Sequence, residues 1–400
     1  MLNVAVLGYG TVGSGVVEVI KTNQDIVNKN AGQEINVKYV LDLRDFPGDP
    51  VQEILVHDYN IILEDPSVDI VVEVMGGINP AYGFVKSALE KGKSVATSNK
   101  ELVAAHGAEL LQVARDNNVN FFFEASVGGG IPIIRPLIEA LTADEITEIT
   151  GILNGTTNYI LTKMSDEGLD FDSVLKVAQE KGYAERNPEA DVEGYDACRK
   201  IAILSSLVCG KQVDYQDIHT EGITKITDLD IKYAKAMGCT IKLFGTSTIA
   251  DEKVYSMVAP FIVTKEHVLG NVSDVFNGIL VKGNMLGETM FYGKGAGKLP
   301  TASAVVSDVI DAAKFMGQNK KINWEQNKVT VSDVLDYECK IFARVKATKE
   351  AIEKAFGNVT YVEVEGVTDE VAFVTEKISE RSFEEKIAGL DLIYRIRTTM

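Results

Sequence analysis

Residues 4–16, Val4-Ala5-Val6-Leu7-Gly8-Tyr9-Gly10-Thr11-Val12-Gly13-Ser14-Gly15-Val16, decide the fold. A short apolar run that suits a strand leads directly into a turn with glycine at Gly8, Gly10 and Gly13. Past the turn, Val12, Val16, Val19 and Ile20 recur at i, i+4, i+7 and i+8, the spacing of one helical face. Strand, GxGxxG turn and helix in that order make a phosphate-binding arrangement. The glycines permit a tight turn and a close approach of backbone to pyrophosphate. The helix start adds unpaired N–H groups and a partial positive charge. Gly8, Tyr9, Gly10, Thr11, Val12 and Gly13 are therefore the expected dinucleotide contacts. The plainer alternative, a purely structural glycine turn, does not account for the strand before it and the helix after it.

The rhythm continues outward. Apolar runs at Val37–Leu41, Ile70–Met75, Ser94–Thr97 and Phe121–Phe123 alternate with helical patterns. One pattern opens at Asn79-Pro80, which predicts an asparagine cap and a proline in the first helical position. Such alternation predicts an α/β fold, a Rossmann-type doubly wound parallel sheet over residues 1–135, completed by a helix over 302–318. The second run ends in Leu41-Asp42-Leu43-Arg44-Asp45. There Asp42 suits the ribose hydroxyls of NAD, and Arg44 suits the 2′-phosphate of NADP. The two point opposite ways, and both cofactors stay open.

After Gly128-Gly129-Gly130 the pattern changes to a mixed α+β domain, expected over 136–301. From residue 335 onward, strand, helix, strand, strand, helix and strand follow in order, a ferredoxin-like βαββαβ unit running to residue 400.

Composition excludes several classes. The chain has 400 residues, enough for two or three domains, and 58 acidic against 40 basic residues give a net charge of −18. That balance argues against nucleic-acid and anionic-membrane partners. Cys198, Cys209, Cys239 and Cys339 are scattered, so neither a disulfide framework nor a zinc site is expected. With no leader pattern and no apolar stretch near 18 residues, the expected location is the cytoplasm.

The chemistry concentrates in residues 182–200. Asp196 and Lys200 stand i, i+4 on a predicted helix, which by itself describes an ordinary surface ion pair. Their stripe, however, continues as Ile203 and Leu207, which places the pair on a partly buried face. Glu185 and Asp191, just upstream, add carboxylates where a substrate ammonium could be held. A lysine beside an aspartate can give a proton to a carbonyl oxygen while hydride arrives at carbon. A second lysine, Lys100 in Thr97-Ser98-Asn99-Lys100, follows a predicted parallel strand at the sheet edge where ligands bind. The bland reading there is an exposed lysine that begins a helix.

GYGTVGSGVV, TSNKELVAAHG, FEASVGGGIPIIRPL, GILNGTTNYIL, GYAERNPEADVEGYDACRKIAIL, TEGITKI and YGKGAGKLPTASAV resemble, in order, the motifs of the homoserine dehydrogenases. The resemblance runs through nearly all of residues 1–318. It implies reversible reduction of aspartate semialdehyde to homoserine with NAD(P)H, on the route to threonine and methionine. It implies a homodimer or homotetramer built through the 136–301 domain, which also binds substrate. By motif position Lys200 resembles the proton donor, and Asp196 and Glu185 the substrate-binding residues, supported by Asp191. Lys100 resembles the second lysine, near nicotinamide and substrate. Gly76, Gly182 and Gly297 are expected with Arg44 among the cofactor contacts. In EASVGGGIP the resemblance implies a monovalent cation, usually sodium, on the Glu124 side chain and the carbonyls of Val127, Gly129 and Ile131. The residues alone would read GGG as a hinge. The tail resembles an ACT-like regulatory domain, yet Val345-Lys346-Ala347-Thr348 lacks the Pro-Gly pair of its ligand loop.

Two other classes compete. A thiol-dependent aldehyde dehydrogenase would need an activated cysteine, and Cys198 falls on the far side of the Asp196 helix. A dinucleotide-sensing protein without catalysis would explain the glycine turn and the tail, but would leave the acid–lysine cluster idle.

Overall fold

The computed structural model describes residues 1–250 and 253–400. By its contacts the chain divides into two units. One comprises Met1–Glu145, Ala202–Tyr215 and Phe291–Val329; the other comprises Ile146–Ile201, Gln216–Met290 and Thr330–Met400.

The first unit grows from the opening stretch. Val4, Ala5, Val6 and Leu7 are fully buried in strand β1 (Leu2–Leu7), as expected of a central strand covered on both faces. Around it lie β2 (Ile35–Leu41), β3 (Leu55–Val56), β4 (Val68–Glu73), β5 (Ser94–Thr97) and β6 (Phe121–Phe122). All pairings are parallel, in the order β3-β2-β1-β4-β5-β6. The strand order reverses between β1 and β4, so the loops after those two strands open at a topological switch point, where α/β sheets bind ligands. This is a Rossmann-like sheet. Its helices are α1 (Thr11–Thr22), α2 (Gln24–Ala31), α3 (Tyr59–Glu64), α4 (Ala81–Glu90) and α5 (Lys100–Asp116). One expectation at α4 is corrected: the Asn79–Pro80 bond is cis, Pro80 takes the cap position, and no side chain caps the helix. Asn79 therefore lies one residue too early to serve as the cap.

The next elements in the chain are β7 (Ile146–Ile152), α6 (Gly155–Glu167), α7 (Phe171–Glu180), α8 (Glu189–Val192) and α9 (Tyr195–Cys209). A minor two-stranded pair, β8 (Lys211–Gln212) with a later strand, follows. Then come β9 (His219–Thr220), α10 (Asp228–Ala236), β10 (Cys239–Ala250), β11 (Lys253–Thr264), β12 (Phe276–Gly283) and β13 (Gly287–Lys294). Helix α11 (Lys298–Lys314) returns to the first unit, as does β14 (Glu325–Lys328), the partner of β8. The chain closes with β15 (Glu338–Lys346), α12 (Lys349–Phe356), β16 (Val359–Val362), β17 (Val371–Thr375), β18 (Ile378–Ser379), α13 (Glu380–Ile387) and β19 (Asp391–Thr398).

The second unit is organised by one mixed sheet of eleven strands, with main path β13-β12-β7-β10-β11-β19-β15-β17-β16. Strands β10 and β11 pair antiparallel from Cys239↔Thr264 to Ala250↔Lys253. β19 runs parallel to β11 through Phe261↔Arg397 and antiparallel to β15 on its other side. The expected βαββαβ order is present, and its strands continue the sheet of the preceding residues through the pairing of β19 with β11. One face of its last strands packs Ile341, Ala343, Val345 and Phe373 against Ile352 and Phe383 of α12 and α13. On the opposite face Phe342 meets the Tyr233 ring of α10 at 5.5 Å. No described helix is long and apolar enough to cross a membrane.

Candidate functional site

In the first unit the glycine turn has the geometry its sequence predicts. Gly8 has a φ of +96°, a left-handed conformation that strains any other residue, and its N–H is held by the Leu41 carbonyl at 2.7 Å. A Cβ on Gly13 would sit 1.8 Å from the Gly8 carbonyl oxygen, so only glycine lets α1 begin here. A Cβ on Gly10 would meet nothing within 4 Å. Helix α1 starts with no capping side chain and no acid in its first turn, which leaves Thr11, Val12 and Gly13 to present N–H groups to an anion.

At the end of β2, Asp42 and Arg44 are bound to each other. Arg44 Nε donates to Asp42 Oδ1 and Nη2 to Oδ2, both at 2.9 Å, while Tyr9 N–H donates to Oδ2 at 2.8 Å. The Arg44 guanidinium holds the Asp42 carboxyl well below the usual carboxylate range. Arg44 itself stays largely open, over the Phe46 ring at 5.2 Å.

The loop after β4 carries Gly76 and Gly77, both with positive φ, and β5 leads through Asn99 into Lys100, the first residue of α5. Asn99 caps α5 by accepting the Leu102 N–H, and Lys100 is half-buried. Beneath these loops lies Glu73, fully buried, whose carboxylate accepts the Met75 N–H and the Thr97 hydroxyl. Neither Glu73 nor the link from Asn99 to Gly77 is legible in the sequence, since Thr97 and Gly77 are brought to these side chains by neighbouring strands.

The EASVGGGIP segment is a packed turn, not a hinge. A Cβ on Gly129 would lie 2.3 Å from the Gly295 carbonyl, and one on Gly130 would lie 2.7 Å from Pro300, close to Gly297 at the start of α11. Glu124 is 2% exposed. Its Oε1 accepts the N–H groups of Ile133 and Ile134, and its Oε2 that of Arg135. A carboxylate has about four lone-pair positions, so one remains on Oε2. The carbonyls of Val127, Gly129 and Ile131 accept no N–H among the described residues. That donor set, hard oxygens with a single charge, suits a monovalent cation better than a metal needing several charged ligands. No group of three His, Cys, Asp or Glu side chains gathers among the described residues. Asp308 of α11 accepts the Glu124 N–H and pairs with Arg135; its complete burial, against the opposing Arg135, pushes its carboxyl up to about 8.

In the second unit α9 turns the predicted pair inward. Asp196 is 5% and Lys200 8% exposed. Lys200 Nζ donates to Asp196 Oδ2 at 2.7 Å and to the Leu153 carbonyl at 2.8 Å. Asn154, the cap of α6, completes the cluster, with Nδ2 donating to Asp191 Oδ1 at 2.7 Å and to Asp196 Oδ2 at 2.9 Å. Asn154 lies within the GILNGTTNYIL motif, and nothing beside it in the sequence points to this role, since its partners are 37 and 42 residues away. The structure thus gathers Asp191, Asp196 and Lys200. Glu185 and Gly182 instead lie on the exposed loop that follows α7, tied down through the Glu185 carbonyl to Gln179 and the Tyr183 carbonyl to Thr156. Cys198 is buried and not disulfide-bonded, so it is not placed as an accessible nucleophile, and burial pushes the thiol of the partly exposed Cys209, at the end of α9, up to about 11.

Comparison with known proteins gives consistent matches. The family description "Homoserine dehydrogenase" matches residues 132–310, and "Homoserine dehydrogenase, NAD binding domain" matches residues 8–124. A homoserine dehydrogenase of Bacillus subtilis is 38% identical, over 100% of this chain and 97% of its own. Among solved structures, a homoserine dehydrogenase from Thiobacillus denitrificans superposes with a TM-score of 0.92 at 33% identity, over 99% of this chain and 98% of that one. A hyperthermophilic archaeal homoserine dehydrogenase mutant in complex with NADPH superposes with a TM-score of 0.67 at 30% identity, over 78% and 97%.

Proposed function

The chain belongs to the homoserine dehydrogenase family, and on that premise we propose which of its residues carry the reaction. The activity is that of an NAD(P)-dependent oxidoreductase interconverting L-aspartate 4-semialdehyde and L-homoserine. The nicotinamide supplies the hydride in one direction and takes it back in the other.

Lys200 is the proton donor. The observation that carries this is the geometry of its ammonium, which has three N–H bonds. Two are directed at Asp196 and at the Leu153 carbonyl, and the third goes to the substrate's carbonyl oxygen. Asp196 orients that ammonium, and Asn154 links Asp196 to Asp191. Asp191 and Glu185 accept from the substrate ammonium. Lys100 serves the nicotinamide end, beside Gly76, while the turn Gly8–Gly13 seats the pyrophosphate. Arg44 takes a 2′-phosphate when NADP binds, and Asp42 takes the ribose hydroxyls when NAD binds. Gly297 is a further cofactor contact. Residues 1–135 with the 302–318 helix form the dinucleotide domain, 136–301 the substrate domain, and 335–400 an ACT-like unit to which no effector is assigned. A homodimer or homotetramer is the proposed assembly, decided by its mass in light scattering.

Lys200→Ala should lower kcat by about a hundred- to ten-thousandfold, the usual worth of general acid catalysis, with the dinucleotide Kd unchanged. Normal turnover by that variant would remove the assignment. Sodium is proposed on Glu124 and the carbonyls of Val127, Gly129 and Ile131, where it would tie the turn to the carboxylate that already accepts the Ile133–Arg135 N–H groups. Thermal unfolding of the cofactor-free protein in tetraalkylammonium buffer tests it: a lower midpoint than in sodium supports the site, and an equal one removes it.

A further inference from the structure

We infer that Glu73 is a positioning residue, which ties the Val74–Gly77 turn to the Thr97–Lys100 segment and thereby sets Lys100 for its part in the reaction. The inference rests on the reading of Lys100 and Gly76 as nicotinamide-side residues.

Glu73 ends β4 directly opposite Thr97, which ends β5. From there a closed ring of hydrogen bonds runs through both loops. Glu73 Oε1 accepts the Met75 N–H at 2.8 Å, and Oε2 accepts the Thr97 hydroxyl at 2.6 Å. The Thr97 oxygen accepts the Asn99 N–H at 3.0 Å, and Asn99 Nδ2 donates to the Gly77 carbonyl at 2.6 Å. Asn99 Oδ1 meanwhile caps α5, so the residue that closes the ring also fixes where Lys100 starts. Gly76 and Gly77, both with positive φ, would leave their turn loose without that tie.

The choice of residue is informative. A carboxylate with no solvent exposure and no cation partner among the described residues is an expensive way to join two loops. Burial pushes its carboxyl above the usual range. A neutral side chain of the same size would serve the fold as well or better. It would serve the loops worse, because a carboxamide has a single acceptor oxygen. Glutamine could still accept the Met75 N–H, but toward Thr97 it would present an N–H donor, so that link would reverse and the Thr97 hydroxyl proton would lose its acceptor.

Glu73→Gln is therefore expected to keep or raise the thermal midpoint, while kcat falls by about ten- to a hundredfold, the cost of a small misplacement at the reacting groups. Thr97→Val removes the same hydrogen bond from the other side and, with it, the acceptor of the Asn99 N–H. It should lower kcat at least as much, and Glu73→Gln should add nothing to that loss. In a Lys100→Met background, Glu73→Gln should cost no further kcat. An equal loss in both backgrounds, an unchanged kcat in the single variants, or a lowered midpoint that accounts for the loss would each overturn the inference. Full activity of Lys100→Met itself would instead remove the reading of Lys100 on which the inference stands. The comparison thus separates the two failures.

Discussion

Arg44 and Asp42 illustrate how a residue's role depends on what it is already bonded to. Each suits a different cofactor, yet in this structure each is the other's main partner. For NADP to be held, Arg44 must turn from Asp42 to the phosphate, and its open position over Phe46 leaves room for that. Arg44→Ala should leave Asp42 uncompensated, repelling a 2′-phosphate while still accepting from ribose hydroxyls. The NAD to NADP ratio of kcat/KM is then expected to rise by about tenfold or more, the worth of one or two charge-assisted hydrogen bonds. An unchanged ratio would show that the phosphate is held elsewhere. Legibility in the sequence divides at this scale by distance along the chain. Asp196 and Lys200 were readable because a helix brings i and i+4 together. Asn154, Glu73 and Asp308 were not, since their partners lie tens to nearly two hundred residues away.

At the scale of elements, the strand–turn–helix start is legible in the sequence because the clash that demands glycine at Gly13 arises within the turn itself. Two of its glycines nevertheless do different work. Gly13 is there because Gly8 leaves no room for a Cβ, whereas Gly10 faces open space. Gly13→Ala should destabilise the fold by about 1–3 kcal/mol, as overpacking does, and lower the melting temperature accordingly. Gly10→Ala should melt like the parent yet bind dinucleotide about tenfold more weakly, as if one charge-assisted hydrogen bond were lost. Equal melting temperatures for the two variants would contradict this division of labour. The start of α4 was misplaced because Asn-Pro signals both a capped helix and a turn, and the residues around it do not separate the two.

Across the molecule, the feature least visible in the sequence is the site of β19. Its composition predicts a strand, but nothing local indicates that it lies between β11 and β15. Charge secures it there. Arg397, fully buried, pairs with Glu380 and Glu221, and Arg395 reaches the same two carboxylates. Burial would raise the Glu221 carboxyl, but His219, Arg397 and Arg395 together hold it far below the usual range. A carboxyl depressed by folding stabilises the protein above its unfolded value of about 4.3, and that contribution fades as pH falls. Denaturant unfolding should therefore show stability declining below about pH 4. Arg397→Met, which leaves the two glutamates only Arg395 and, for Glu221, His219, should cost about 3–5 kcal/mol at neutral pH and flatten the acid decline. A variant as stable as the parent would mean that the strand is held by backbone pairing alone.

The position of β19 also bears on how the protein is made. Synthesis runs from the N-terminus, so β11 and β15 are both complete before their shared neighbour leaves the ribosome. During that interval a nascent chain carries two unpaired strand edges, each able to template the strand of another molecule. Translation that halts before Asp391 would release a product prone to aggregate, even though every residue of the dinucleotide-binding sheet had already been made.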